Sequence, residues 1–185
     1  MRLLQEPLPG LKLIQLTRHG DDRGYFVENY HESRLSALGI GERFVQDNRS
    51  RSQRGVLRGL HAQLQKPQGK FVRVAAGEIF DVAVDARPDS PAYGKWFGCT
   101  LRDSDFQALY LPPGFFHGFC VLSPAAEIEY KCTDYYDPKD EIGILWNDPE
   151  LGIKWPIQSP IMSAKDVGLP IFSRVKVLLE QAKAK

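Results

Sequence analysis

Residues 107–122, QALYLPPGFFHGFCVL, decide how this chain is read. Two apolar runs of strand length, 107–112 and 117–122, meet at a proline-proline-glycine turn, and neither is long enough to be a helix of ordinary size. The same pattern continues in both directions. Strands are predicted at 11–16, 42–48, 56–62, 70–75, 78–85, 95–102 and 127–136, separated by turns such as DARPDSPAYG (85–94) and SPAAE (123–127). Thirteen prolines and sixteen glycines punctuate these short runs, the signature of an all-β sandwich or barrel.

Only two stretches read as helix. HESRLSALG (31–39) is short and stops on Gly39. FSRVKVLLEQAKAK (172–185) puts Val175, Leu178 and Leu179 on one face, so a C-terminal helix over about 172–184 is expected to pack on the β body. With no repeat, low-complexity linker or break in composition, residues 1–185 are expected to form one domain, and 185 residues suffice to bury a core without a metal or disulfide staple.

Lysine and arginine number 24 against 23 acidic residues, a net charge of +1, which argues against general binding of nucleic acid or membrane surfaces. Cys99, Cys120 and Cys132 form no CxxC pair and sit in β-like runs, as buried free thiols of a reducing compartment do. The N-terminal MRLLQEPLPGLKL has prolines and charges where a signal peptide needs an apolar core, and no apolar run reaches membrane-spanning length. The expectation is a soluble cytoplasmic protein.

Against that neutral background Arg49, Arg51, Arg54 and Arg58 cluster within ten residues. They read either as a solvated edge or as an anion site, since guanidinium groups bind phosphate bidentately. EIEYKC (127–132) alternates, placing Glu127, Glu129 and Lys131 on one face and Ile128, Tyr130 and Cys132 on the other. Tyr130 is then either a core tyrosine tied to backbone or an acid facing a barrel interior.

PPGFFHGF carries a PxGxxH pattern that resembles the second half-signature of the cupin barrels. The first half-signature supplies His-x-His and a nearby glutamate, but here the chain reads His61-Ala62-Gln63 with no carboxylate following. His61 and His117 alone fall short of the usual three or four donors, so no metal is expected. A metal-free site has its own chemistry. A neutral imidazole at His61 can remove a proton next to a ketone, Lys70 can stabilise the enolate oxygen, and a tyrosine on the opposite face can return a proton. Strict alternation would put Arg58 and His61 on opposite faces of one strand, and a bulge at Gly59 is the natural remedy.

Taken together, the motifs resemble the dTDP-4-dehydrorhamnose 3,5-epimerase family of metal-free cupins. They are DDRGYFVE (21–28), FVQDN (44–48), GVLRGLH (55–61), PQGKFVRV (67–74), DVAVD (81–85), PPGFFHGF (112–119), YKCTDYY (130–136), GILWNDP (143–149) and SAKD (163–166). The resemblance spans about residues 10–170 and implies a cupin jelly-roll, or double-stranded β-helix, with a few short peripheral helices. It implies His61 as the base for carbons 3 and 5 of dTDP-4-dehydro-6-deoxy-D-glucose, Asp166 as its partner, Lys70 at the enolate and Tyr130 as the acid. It implies nucleotide-sugar contacts from Arg23, Glu28, Gln46, Asp47, Asn48, Arg58, His117, Glu141 and Lys165, with Tyr136 stacked on the thymine. It implies no cofactor, and a homodimer that exchanges N-terminal strands, so that Arg23 to Glu28 serve the partner's site. Ala62, Phe116 and Phe71 depart from the pattern, and Ala62 and Phe116 are expected at the pocket wall. A single-carbon epimerase, a ketoisomerase on a related sugar or a non-catalytic nucleotide-sugar-binding cupin are the alternatives.

Overall fold

The computed structural model describes residues 1–183. Its strands are β1 (Arg2–Leu8), β2 (Leu11–Gln15), β3 (Arg18–Asp21), β4 (Gly24–Val27), β5 (Gln46–Gln53), β6 (Leu57–Gln63), β7 (Lys70–Ala76), β8 (Glu78–Asp85), β9 (Trp96–Arg102), β10 (Gln107–Leu111), β11 (Phe115–Val121), β12 (Ala125–Cys132) and β13 (Glu141–Gly143). Three helices accompany them: α1 (Glu32–Ala37), α2 (Ala164–Val167) and α3 (Phe172–Lys183). A six-stranded sheet ordered β1-β2-β10-β7-β12-β5 faces a five-stranded sheet ordered β13-β6-β11-β8-β9, and β3-β4 forms a separate hairpin. This is the expected cupin jelly-roll.

The burial pattern explains why so many strands read as continuous apolar runs. Leu11, Val72, Leu109 and Ile128 from the first sheet pack on Ile79, Leu101, Phe115 and Phe119 from the second to form the inter-sheet core. The outer face of the five-stranded sheet is covered too, where Val82, Val84 and Phe116 meet Ile144, Ile153 and Phe172 and Val175 of α3. The outer face of the other sheet packs Ile14, Phe71 and Tyr110 against Leu35 and Ile40. Every residue of β11 is consequently buried, because both of its faces are covered. The expected helix over 31–39 forms as α1, with Gly39 beyond it at φ +78°. The C-terminal helix forms over Phe172–Lys183, and Ala184, the last residue of the expected range, lies outside the described residues.

Several expectations are corrected. The strand expected over 42–48 is β5, which starts at Gln46 and continues to Gln53, so Arg49 and Arg51 belong to a strand and not to a loop. Its sequence QDNRSRSQ offers no apolar alternation because its inner face lines a cavity and its outer face meets solvent. The strand expected over 127–136 stops at Cys132. The polar Thr133–Tyr136 stretch leaves the sheet, with the Thr133 hydroxyl accepting from Gly69 N at 2.7 Å. Strands β1, β3, β4 and β13 and helix α2 were not anticipated, being short, polar or proline-bearing. Phe116 lies under α3 in the outer core rather than at the pocket wall, whereas Ala62 touches both that core and the cavity.

Candidate active site

A cavity of about 510 Å³ opens between the sheets, and Arg58, His61, Lys70, His117, Tyr130, Lys165 and Asp166 line it. A second lobe of about 280 Å³ shares His61, Lys70 and Tyr130 and adds Gln46, Asn48, Tyr136 and Glu141. Both volumes suit small organic ligands.

His61 and Arg58 reach the same cavity through a bulge. Strand β6 pairs with β11 as His61 with His117 and Arg58 with Phe119, so three steps on one strand oppose two on the other. Gly59 makes this possible. Its φ is +108°, and a Cβ there would stand 2.6 Å from the Gly118 Cα and 2.6 Å from the His117 carbonyl. The Arg58 side chain is then steadied as Nε donates to Ser52 Oγ at 3.0 Å.

His61 Nε2 lies 2.7 Å from Asp166 Oδ1. Asp166 is buried, and it arrives from 105 residues away because the chain before α2 adheres to the start of β6. Leu57 N donates to Ile161 O at 3.0 Å and Ile161 N to Gly55 O at 2.8 Å. Ser163 then caps α2, its Oγ accepting from Asp166 N at 3.1 Å. The carboxylate keeps the hydrogen on Nε2 and leaves Nδ1 as the free base. Burial lowers the His61 pKa below the usual imidazole value, with the Asp166 charge and hydrogen bond opposing it, so the ring is neutral at pH 7.

Lys70 and Tyr130 come from the sheet opposite His61. Burial lowers the Lys70 pKa and raises that of the Tyr130 phenol, which keeps the phenol protonated. Glu141 stands at the junction of the lobes: Oε2 accepts from Tyr136 OH and from Lys165 Nζ, each at 2.5 Å, while Oε1 is 3.6 Å from His61 Nδ1. Burial by itself would raise the Glu141 carboxyl, but Lys165, Tyr136 and His61 outweigh it and hold its pKa below the ordinary range. The Glu141 bond in turn pushes the Tyr136 phenol up to about 12.

Three expected binding residues lie elsewhere. Asp47 points to the outer face of β5, accepting from Lys131 Nζ at 2.8 Å. Arg23 and Glu28 lie in and just after the β3–β4 hairpin, paired with Asp21 at 2.6 Å and Arg34 at 2.9 Å and away from this chain's cavity. The arginine cluster divides by strand geometry. Arg49 and Arg51 face Glu127 and Glu129 across β5 and β12 on the outside, while Arg58 alone enters the cavity.

Sequence reasoning missed Asp81 and Ser50. Asp81 is fully buried with His117 Nε2 at 2.9 Å, and alternation along DVAVD was the signal for an inward carboxylate. Ser50 turns a buried hydroxyl without a hydrogen-bond partner into the cavity, and recognising β5 would have shown it. Among the described residues no group of three or more His, Cys, Asp or Glu side chains is placed to hold a metal ion, and no helix is long and apolar enough to cross a membrane.

A sequence profile of the family described as dTDP-4-dehydrorhamnose 3,5-epimerase matches residues 5–174. The enzyme of that name from Neisseria gonorrhoeae is 49% identical over 90% of this chain, which spans about half (51%) of that relative's length. That from Methanothermobacter thermautotrophicus is 48% identical over 89% of this chain and 91% of its own. A dTDP-4-dehydrorhamnose 3-epimerase from Streptomyces niveus is 41% identical over 90% of this chain and 81% of its own. The crystal structure of the Legionella pneumophila dTDP-6-deoxy-D-glucose-3,5-epimerase in complex with dTDP-4-keto-L-rhamnose superposes with a TM-score of 0.92 at 46% identity, covering 96% of each chain.

Proposed function

This chain belongs to the dTDP-4-dehydrorhamnose 3,5-epimerase family, and from that premise we propose that it inverts carbons 3 and 5 of dTDP-4-dehydro-6-deoxy-D-glucose to give dTDP-4-dehydro-β-L-rhamnose. The observation that carries the reading is the His61–Asp166 pair at 2.7 Å facing Lys70 and Tyr130 across one cavity. His61 Nδ1 removes the proton from a carbon beside the keto group. The C–H electron pair forms a double bond to the keto carbon, the carbonyl π pair moves onto the oxygen, and the Lys70 ammonium stabilises the resulting enolate. Tyr130 returns a proton from the opposite sheet, so the carbon is protonated on the face away from His61 and inverts. Asp166 holds the tautomer and stabilises the imidazolium. No metal or cofactor enters these steps.

Gln46, Asn48, Arg58, His117, Glu141 and Lys165 are proposed to hold the nucleotide-sugar, with Tyr136 against the thymine. Tyr25 and Phe26 are exposed on the β3–β4 hairpin that carries Arg23 and leads to Glu28. This supports a homodimer in which that segment, and with it Arg23 and Glu28, completes the partner's site. Asp47 is proposed to act from the outer face of β5. Residues 1–185 act as one unit, and the setting is cytoplasmic synthesis of dTDP-L-rhamnose for a lipopolysaccharide or other cell-wall polysaccharide.

The test is proton NMR of the 4-keto sugar with the protein in deuterated buffer without added metal. Loss of signal at both carbons 3 and 5, with the product trapped by a reductase as dTDP-rhamnose, is expected. Loss at carbon 3 alone would replace the reading with that of a 3-epimerase, which the Streptomyces niveus relative favours. Binding without exchange at either carbon would leave a nucleotide-sugar-binding protein.

A further inference from the structure

Each inversion leaves the site in the wrong protonation state for the next. His61 has gained a proton and Tyr130 has lost one, and both must be restored before another carbon or another substrate reacts. This problem rests on the two-sided mechanism proposed above. With the sugar ring between the two groups, direct return from His61 to Tyr130 is blocked, so the proton on His61 needs its own way out.

The surroundings of the ring allow one direction. The Nε2 end is closed by the buried Asp166 carboxylate, which keeps that hydrogen in place. The Nδ1 end, where the substrate proton arrives, faces Glu141 Oε1 at 3.6 Å. That separation is too long for a hydrogen bond in the resting site, but a protonated Nδ1 is drawn to a carboxylate so near. The other oxygen of Glu141 is clamped by Tyr136 and Lys165, two side chains at least half exposed at the cavity mouth. Glu141 therefore has one oxygen free and aimed at the base, while its clamped end lies against groups in contact with water.

We propose that Glu141 is the proton exit for His61. The imidazolium N–H bond at Nδ1 breaks, its electron pair returns to nitrogen, and the proton forms an O–H bond at Glu141 Oε1. That proton then passes to water at the mouth, regenerating the carboxylate that Lys165 and Tyr136 hold in place. Tyr130 recovers a proton from water entering the same cavity, so one proton leaves and one enters per inversion. Glu141 thereby has a role beyond holding the substrate.

The decisive variant is Glu141→Gln, which keeps the shape and one acceptor oxygen but cannot carry a proton. Rapid-quench and NMR time courses are expected to show a burst of about one inversion per active site, followed by turnover slowed tenfold or more. Formate or imidazole added as a small proton carrier is expected to restore the slow phase of the variant without accelerating the wild type. Glu141→Asp, still a proton acceptor, is expected to lose only severalfold and to need no carrier, and it serves alone if the glutamine variant does not fold. Equal loss in the two variants, no burst, or a raised KM that carriers do not repair would overturn the relay and leave Glu141 as a substrate contact. Wild-type protein that inverts neither carbon would instead overturn the proposed activity.

Discussion

Replacing Asp166 by asparagine should make the enzyme slower and, at the same time, move the acid limb of its activity to lower pH while making the fold itself more sensitive to acid. The carboxylate contributes a charge-assisted hydrogen bond at 2.7 Å to a largely buried imidazole, and that bond matters most when the ring has taken the substrate's proton. Hydrogen bonds to charged groups contribute about 1.5–3 kcal/mol, which corresponds to a fall in kcat of roughly 10- to 150-fold. The pH dependence follows from the direction of the His61 shift. Burial already lowers its pKa, with Asp166 opposing that effect, so activity requiring the neutral ring should persist below about pH 6.5 before it falls. Removing Asp166 deletes the opposing influence and moves the acid limb to still lower pH. The folded state then resists protonation further, so the thermal midpoint of the variant should drop more steeply below about pH 6.5, where an unfolded histidine is free to bind a proton. Profiles of kcat against pH for both proteins, with substrate saturating, provide the assay. An unchanged kcat, or an acid limb moving to higher pH, would refute the assignment of His61 as the base and Asp166 as its partner.

Tyr130→Phe should fold normally and lose product formation while still exchanging substrate protons for deuterium, because His61 can remove a proton, trade it for a solvent deuteron and return the deuteron to the same face; loss of exchange as well would sink the two-sided scheme. Lys70→Met should lower kcat about 10²- to 10³-fold. It should also abolish an alkaline limb that lies below the pH of a free lysine, since burial lowers the Lys70 pKa and the ammonium is lost as pH rises through that lowered value. An alkaline limb that survives in this variant would assign it to another group. Gly59→Ala should cost about 2 kcal/mol or more, a drop in Tm of several degrees, because the new Cβ meets the Gly118 Cα at 2.6 Å in a positive-φ backbone. A calorimetric scan matching wild type would contradict the close approach of β6 and β11. Arg49→Ala should leave kcat and KM within twofold, its ion pairs being exposed on the outer face, whereas Arg58→Ala should raise KM; steady-state kinetics of the pair separates the two halves of the arginine cluster.

The ordered strands of the jelly-roll were legible because most of them bury at least one face, and burial writes itself into sequence as apolar runs closed by glycine and proline. Strand β12 is the clearest case: the alternation of EIEYKC puts Tyr130 on the inward face, where it lines the cavity. The bulge at Gly59 was legible for a related reason, since Arg58 and His61 cannot share a pocket on a regular strand. Strand β5 shows the limit. Its inner face is a polar cavity wall and its outer face a ladder of ion pairs, so QDNRSRSQ carries no apolar period. The arginines on it consequently remained ambiguous until their cross-strand glutamates were seen.

By itself the sequence determined the fold class and the kinship that orders the motifs along the chain, and through that kinship it pointed to His61, Lys70 and Tyr130 as candidate site residues, because short motifs are carried by residue type and local spacing. Which groups meet is decided by tertiary structure, and for the His61–Asp166 pair the sequence offered only the family resemblance. Asp166 reaches His61 across 105 residues through backbone hydrogen bonds to Ile161, and Glu141 faces His61 from an edge strand of three residues. Asp47 turns outward while its neighbours Gln46 and Asn48 turn in. Strand pleat and sheet pairing fix these relations in space, and no local run of residues encodes a contact made between distant parts of the chain.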